Sequence, residues 1–309
     1  VFTDQSFEAV SDTDNYSMGE IRAVGDFNND GFEDVFWSFS DTLSTPLVLS
    51  SDGAGNFDNS FEIIGQEKVR HIRNTEVSDI DSDGDLDIVA FTAPHGWYQE
   101  MLGSTWDGSE PDLIYYNLGN DQFNAVSLIH ETYNHGGAVG DLNGDGIPEI
   151  FSLSEYPRVA PYAEEASYRG VYERDTNGFY QRSQNILPAS EFSGLLTSDM
   201  RIKDLNADGY DDLIVAVSPD FRAQGPNNGS PIEVNPSFKV GLSNGSLDPQ
   251  NFSWTSYGAH PITDDSWRDY QDINSQSSEF TAGVSNIETM DLDQDGDLDI
   301  LIGYYVGSG

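Results

Sequence analysis

A nine-residue acidic pattern occurs five times in this chain. In every copy, positions 1, 3, 5 and 9 carry side chains with oxygen atoms, and position 6 is glycine. The copies begin at residues 26, 79, 141, 204 and 291 and read DFNNDGFED, DIDSDGDLD, DLNGDGIPE, DLNADGYDD and DLDQDGDLD. Several oxygens within one tight turn, followed by a carboxylate, form the donor set that a hard cation such as Ca2+ prefers. We therefore predict that each copy is a calcium-binding loop.

Each position of the pattern has a role in such a loop. The glycine permits the backbone reversal, position 7 contributes only its carbonyl oxygen, and the carboxylate at position 9 suits bidentate ligation. The candidate ligands are Asp26, Asn28, Asp30, Phe32 and Asp34; Asp79, Asp81, Asp83, Asp85 and Asp87; Asp141, Asn143, Asp145, Ile147 and Glu149; Asp204, Asn206, Asp208, Tyr210 and Asp212; and Asp291, Asp293, Asp295, Asp297 and Asp299. Up to five structural Ca2+ ions are expected, bound most tightly by loops two and five, whereas loop three, which ends in Glu, departs most from the pattern.

The residues around the loops distinguish them from EF-hands. An EF-hand requires Glu at position 12 and helices on both sides, but position 12 here is Trp37, Ala90, Ser152, Val215 and Ile302. The runs DVFWSF, DIVAFT, EIFSLS, DLIVAV and DILIGYY follow the loops and favour β-strands. Position 2 is always apolar, so we expect its side chain in the core. A metal-free turn rich in Asp and Asn is the alternative for a single copy, and the fivefold recurrence argues against it.

The spacing of the loops indicates a repeated fold. Successive copies begin 53 to 87 residues apart, and a period of about 60 residues suits a four-stranded propeller blade. A second strand pair is predicted after each of the first four loops, in PLVLSSDGAGNFDNSFEII, DLIYYNLGNDQFNAVSLI, RGVYERDTNGFYQRSQ and FKVGLSNGSLDPQNFSWT. The predicted fold class is all-β, a β-propeller of four-stranded antiparallel blades with five recognisable calcium-loop blades. We name the four strands of each repeat A to D in chain order, with the acidic loop between A and B.

Through these loops and the hydrophobic-N-x-G-x-x-F turns after them, the chain resembles the FG-GAP/VCBS repeat family. These are calcium-loop β-propellers found in integrin α-subunits and in many secreted bacterial proteins. The resemblance implies fold and calcium but no single function, because such propellers host adhesion, lectin and lyase activities. The expected organisation is one domain, 1–309, with repeats at about 11–65, 66–129, 130–190, 191–257 and 275–309. Insertions are expected at 218–236 and 258–274, and residues 1–10 are a candidate closing strand for a last blade that is short, unless the chain is part of something longer.

Charge and composition exclude several functions. The net charge is −41, with 54 acidic residues against 13 basic ones, so nucleic acid and anionic membrane surfaces are poor partners. Direct membrane insertion is not expected, because no apolar run approaches the ~18 residues of a membrane span. A secreted or cell-surface location is expected, since extracellular calcium modules bind at ~10⁻⁴–10⁻³ M. The oligomeric state stays open.

The resemblance implies that the calcium loops lie on one face of the disc and that ligands bind on the other. The connections assigned to that opposite face contain Lys68, Arg70, Arg73, His95, Trp97, Tyr98, Trp106, Tyr156 and Arg158. Aromatic rings beside cations suit sugars that carry carboxylate or sulfate groups. The expected partner is therefore a carbohydrate or a surface protein. The alternative is that these residues pack their own loops and pair with nearby acids.

An enzymatic function is the runner-up. His130, Tyr133 and His135 fall close together, and His or Tyr with an Arg could carry out β-elimination on a uronic acid. The Arg would neutralise the carboxylate while the other groups move protons. The hypothesis is thus a binding or adhesion module, with a polysaccharide lyase or a structural subunit of an extracellular assembly as alternatives.

Overall fold

The computed structural model describes residues 19–39, 44–58, 61–65, 68–69, 71–92, 110–128, 134–154, 169–192, 195–219, 238–257, 280–296 and 298–308. In these ranges, helix is confined to one turn at Ala189–Phe192 (α1) and a 3-10 turn at Pro249–Asn251. Neither helical turn is long and apolar enough to cross a membrane. The all-β prediction is confirmed.

The first sheet contains the first acidic loop. Its strands are β1 (Gly19–Gly25), β2 (Asp34–Phe39), β3 (Leu47–Ser51) and β4 (Phe57–Asp58). They pair antiparallel in chain order, so the loop joins two neighbouring strands at one end of the sheet. The predicted unit of strand, loop and strand, followed by a hairpin, is confirmed here.

The second sheet has the same four strands and one addition. It consists of β5 (Glu62–Ile64), β6 (Ile72–Ser78), β7 (Asp87–Thr92), β8 (Leu113–Asn117) and β9 (Gln122–Ser127). The order is β5-β9-β8-β7-β6, and β5 pairs parallel with β9. The sequence prediction placed residues 62–64 in the first repeat's own strand pair. They join the second sheet instead, where Ile63 packs against a buried core.

Two further four-stranded sheets and a strand pair follow. The third sheet is β10 (Asn134–Gly140), β11 (Glu149–Ser154), β12 (Arg169–Arg174) and β13 (Tyr180–Ile186). The fourth is β14 (Leu195–Lys203), β15 (Asp212–Pro219), β16 (Phe238–Leu242) and β17 (Ser253–Tyr257). Both run in chain order, and β18 (Phe280–Met290) pairs antiparallel with β19 (Asp299–Ser308).

The chain forms two compact units. The first two sheets lie in one unit, the last two in the other, and the strands of the third sheet are divided between the units. In the first unit, Phe27 meets Phe123 edge to face at 5.7 Å within a core of buried strand residues. In the second, Ile214, Val240 and Ile287 form a smaller core. The predicted closing strand at 1–10 and the insertion at 258–274 lie outside the described residues, as does the insertion at 218–236 beyond Pro219.

The apolar residue at position 2 of each loop meets different surroundings. Phe27, Ile80 and Leu142 are at most 1% exposed, and Leu205 is half-buried against the core of the second unit. The prediction that this residue packs in the core is wrong for Leu292, which is 55% exposed. The reason is local, because the last sheet has only two strands in the described part of the chain and offers less apolar surface.

Candidate metal centres

All five acidic loops share one internal hydrogen-bond pattern. The carboxylate at position 1 accepts from the backbone N–H groups of positions 5 and 6; in the first loop, Asp26 accepts from Asp30 at 3.0 Å and from Gly31 at 2.9 Å. The equivalent bonds at Asp79, Asp141, Asp204 and Asp291 measure 2.7 to 3.1 Å. Hydrogen bonds between the protein's own carboxylates and amides therefore hold this loop shape.

The backbone takes a left-handed conformation at two positions of each loop. Glycine at position 6 has φ between 84° and 99°, as the sequence pattern predicts. Position 4 is also left-handed, and sequence reasoning missed it. The residues there are Asn29, Ser82, Gly144, Ala207 and Gln294, with φ between 57° and 74°. Asn and Gly adopt this conformation readily, whereas Ala and Gln do so at a cost.

The carboxylate at position 9 joins the loop to the next strands. One oxygen accepts the backbone N–H of position 2 in all five loops, at 2.8 to 3.0 Å. In the first, second and fourth loops the other oxygen accepts the backbone N–H of a residue at the end of strand C: Ser51, Asn117 and Ser243. A carboxylate has about four lone-pair positions, so these bonds leave capacity for a cation.

The second loop has the arrangement that best fits a metal. One oxygen from each of Asp79, Asp81 and Asp87 lies within 4.8 Å of the others. Oxygens that all touch one Ca2+ at about 2.3–2.6 Å lie at most about 5 Å apart. The Oδ1 atom of Asp81 is buried and has no hydrogen-bond partner among the described groups. A buried carboxylate oxygen without a donor is costly, and a cation between the three groups would remove that cost.

The fifth loop repeats this cluster. Asp291, Asp293 and Asp299 each place one oxygen within 4.8 Å of the other two, but the first two side chains are exposed and the third is half-buried. The other three loops have Asn at position 3, where the amide oxygen accepts the N–H of position 5 and the amide nitrogen donates to the position 5 carboxylate. Asp297 at position 7 lies outside the described residues. Two loops therefore bring three carboxylates together in a geometry that could hold a metal ion.

Burial raises the pKa of several of these carboxyl groups. The pKa of Asp87 is raised to about 7 and that of Glu149 to about 8, chiefly because burial penalises the charged form. Burial likewise raises the pKa of Asp34, Asp81 and Asp212. Neighbouring loop carboxylates add to these shifts. Such groups are poorly stabilised as anions by the protein alone, and a divalent cation would favour their ionised form.

The third loop differs because its last residue is Glu149. Its Oε2 atom accepts the N–H of Leu142 at 2.9 Å, as Asp does in the other loops. Its Oε1 atom accepts from the side-chain amide of Asn143 at 3.2 Å. The extra methylene therefore directs the second oxygen towards the loop's own position 3 rather than towards the end of strand C.

Two residues beyond the acidic pattern hold the second loop. Arg174 donates from Nη1 to the carbonyl oxygen of Asp81 at 3.0 Å, and the hydroxyl of Tyr180 donates to the carbonyl oxygen of Ile80 at 3.3 Å. Both come from the β12–β13 hairpin, far away in sequence. No local sequence signal predicts these contacts, since they depend on how one repeat packs against another.

The candidate ligand-binding residues are described only in part. Lys68 and Arg73 are exposed. Ile72 pairs with Thr92, so Arg73 lies at the end of β6 beside the point where the 93–109 connection leaves β7. The charge of Arg73 also contributes, after burial, to lowering the pKa of Arg22, a neighbouring cation that the sequence did not single out.

The remaining candidates are not described to the same extent. His135 lies within β10, but its side chain is outside the described part. Outside the described residues altogether are Arg70, His95, Trp97, Tyr98, Trp106, His130, Tyr133, Tyr156 and Arg158. The predicted catalytic grouping and the predicted aromatic surface therefore stay predictions.

The fold and the loops together define an all-β protein of repeated sheets, each with an acidic loop between its A and B strands. Residues 26–90 match the FG-GAP-like repeat family, which confirms the resemblance for the segment containing the first two loops. No curated protein matches the chain.

Proposed function

We propose that this chain is a calcium-stabilised, β-propeller-like binding module of an extracellular protein, and that its ligand is an anionic carbohydrate or a surface protein. The propeller is supported by four sheets that contain the same four strands in the same order. The extracellular setting is supported by the FG-GAP-like repeat, which is typical of extracellular proteins.

The observation that carries the proposal is that the acidic loop and the long connection lie at opposite ends of the same strand. In the second sheet, the acidic loop joins β6 to β7 at Asp87, whereas the long connection that ends before β8 leaves β7 at Thr92. The base of this connection is braced by Asp112, which accepts the N–H of Thr92 and the side-chain amide of Asn134, both at 2.8 Å. A stabilising metal at one end would thus leave the other end available for a ligand.

Charge favours an anionic ligand at that end. Arg73 is exposed at the start of β6, and Lys68 is exposed in the segment that leads into β6, in a chain with a net charge of −41. A local cationic patch on such a background concentrates anions at one place. A uronate or sulfate group could pair with these side chains while the sugar ring stacks on an aromatic residue of the adjacent connection.

The test is binding of the full chain, in calcium, to a panel of uronate-containing, sulfated and neutral polysaccharides. We expect binding to the anionic members that weakens with added salt and is reduced in Lys68→Gln/Arg73→Gln. Arg182→Gln, which changes an exposed arginine on β13, is a single-charge control and should bind as the wild type does. Equal binding by both variants would overturn the assignment of this end as the ligand site.

A further inference from the structure

In the first, second and fourth sheets, one residue occupies the same place at the end of strand C. Val35 pairs with Leu49, Ile88 with Tyr115, and Leu213 with Gly241. Two residues beyond each of these strand C partners stand Ser51, Asn117 and Ser243, respectively. In all three, the backbone N–H donates to the position 9 carboxylate of the same sheet's acidic loop, at 2.7 to 2.9 Å. Each of these residues is thus tied to its own loop through its backbone.

Two of these residues also hold the acidic loop of the preceding sheet. Asn117 donates from Nδ2 to the carbonyl oxygen of Phe27 at 2.7 Å, within the first loop. Ser243 donates from Oγ to the carbonyl oxygen of Leu142 at 2.9 Å, within the third loop. Both are buried, at 0% and 5% exposure. A single residue therefore bonds to two acidic loops, through its backbone to one and through its side chain to the other.

Direct contacts between the same loops accompany these bridges. Asn29 of the first loop donates to Asp85 of the second at 2.7 Å. In the other unit, Asp211 of the fourth loop accepts the N–H of Asp141 of the third at 2.8 Å and donates its own N–H to the Asp141 carbonyl oxygen at 3.0 Å. The first and second loops thus form one connected pair, and the third and fourth another.

We infer that Asn117 and Ser243 couple neighbouring metal loops in pairs, so that ion binding in one loop favours ion binding in its partner. The inference rests on the proposed calcium binding. An ion in the second loop fixes Asp87, which fixes the turn at Asn117, whose side chain holds the first loop in its binding shape. The first loop then loses less conformational entropy when it binds its own ion. This gives positive cooperativity without a large structural change.

The test is hydrogen exchange of residues 26–34, measured by mass spectrometry over a calcium titration of the full chain. The second loop is disabled by Asp81→Asn/Asp83→Asn, which leaves Asp87 and Asp85 in place. We expect the calcium midpoint of the first loop to rise about fivefold or more, the lower end of usual coupling strengths. In an Asn117→Ala background the same change should move the midpoint much less, because only the direct contact of Asn29 with Asp85 still joins the two loops.

Matched controls separate the possible outcomes. Ser51→Ala alters the equivalent residue, whose Oγ accepts the nearby N–H of Gly53 at 3.2 Å, and should preserve the coupling. If Asn117→Ala fails to fold, Ser243→Ala in the other unit, with exchange read at residues 141–149, gives the same comparison. The inference would be overturned if disabling the second loop left the calcium midpoint of the first loop unchanged, or changed it equally with and without Asn117. Either result would leave the proposed calcium binding intact. The absence of any calcium-induced protection would overturn the proposed function itself.

Discussion

Asp87 Oδ2 accepts a hydrogen bond from the backbone N–H of Ile80 at 2.8 Å, and both residues are 0% exposed. A carboxyl group that closes an acidic loop is therefore buried within the protein. Its pKa is raised to about 7, chiefly by burial, and the neighbouring Asp81 and Asp83 add to the shift. A rising pH should therefore destabilise the metal-free loop, whereas in the calcium-bound loop it should have the opposite effect.

For the metal-free protein we predict that stability falls as the pH rises from 5 to 7.5. A group whose folded pKa lies above its unfolded value binds its proton more tightly when folded, so its stabilising contribution is lost as the pH rises through the folded pKa. With saturating calcium the trend should reverse, because protons compete with the ion for the same oxygens. Thermal melting of chelator-treated and calcium-loaded protein over this range measures both slopes.

The control for this prediction is Asp87→Asn in the metal-free protein. The amide does not titrate, so the falling slope should become shallower. Parallel slopes in the metal-free and calcium-loaded proteins would contradict the assignment of Asp87 to a metal loop.

Asp81→Asn should weaken calcium binding in the second loop. The change removes one negative charge from a cluster whose three oxygens lie within 4.8 Å of one another. We expect affinity to fall by at least about tenfold, because loss of even an outer partner of a ligand costs that much. Isothermal titration should show one high-affinity ion fewer than in the wild type. Asp58→Asn, which makes the same charge change outside the loops, should leave the titration unaltered, and equal weakening by both variants would contradict the site.

Ala207→Gly should stabilise the protein by about 0.5–1 kcal/mol, because Ala207 has a φ of 57° that costs a residue with a Cβ atom. Urea denaturation in the presence of a chelator measures the change. Gly209→Ala tests the opposite direction: its φ is 90° and a Cβ would meet no atom within 4 Å, so the expected loss of about 1–2 kcal/mol comes from backbone strain alone. A destabilising Ala207→Gly would contradict the loop conformation.

Phe27→Ala and Leu292→Ala should differ widely although both alter position 2 of a loop. Phe27 is 1% exposed and contacts Phe123, so its truncation should cost about 3–5 kcal/mol. Leu292 is 55% exposed, and its truncation should change stability by less than about 0.5 kcal/mol. Denaturant midpoints in calcium compare the two, and a large loss at Leu292 would show that its side chain is covered in solution.

The sequence predicted the parts of the structure that depend on local chemistry. Each loop with its glycine at position 6, and the strand that begins at position 9, follow from residue types within a dozen positions. The fivefold recurrence of these features argues against a chance match. The strand pairs after the loops were predicted for the same reason, since turn residues and β-branched runs alternate there.

The sequence did not predict the features that depend on contacts between repeats. Nothing near Glu62 indicates that its strand joins β9, because that pairing is made by residues 122–124. The hydrogen bonds from Asn117 and Arg174 to loops in preceding repeats are hidden for the same reason. The left-handed backbone at Ala207 was missed because alanine carries no signal for it.

The central claim is that calcium bound by the acidic loops stabilises this fold, and thermal melting across a calcium titration at pH 7.5 tests it most directly. A ligand that binds only the folded chain raises its stability by RT ln(1 + [L]/Kd), so the melting temperature should keep rising with the logarithm of the calcium concentration above Kd. Magnesium at equal concentration should have a smaller effect, because it favours smaller, more rigid octahedral sites. A melting temperature that is the same in chelator and in millimolar calcium would contradict the account.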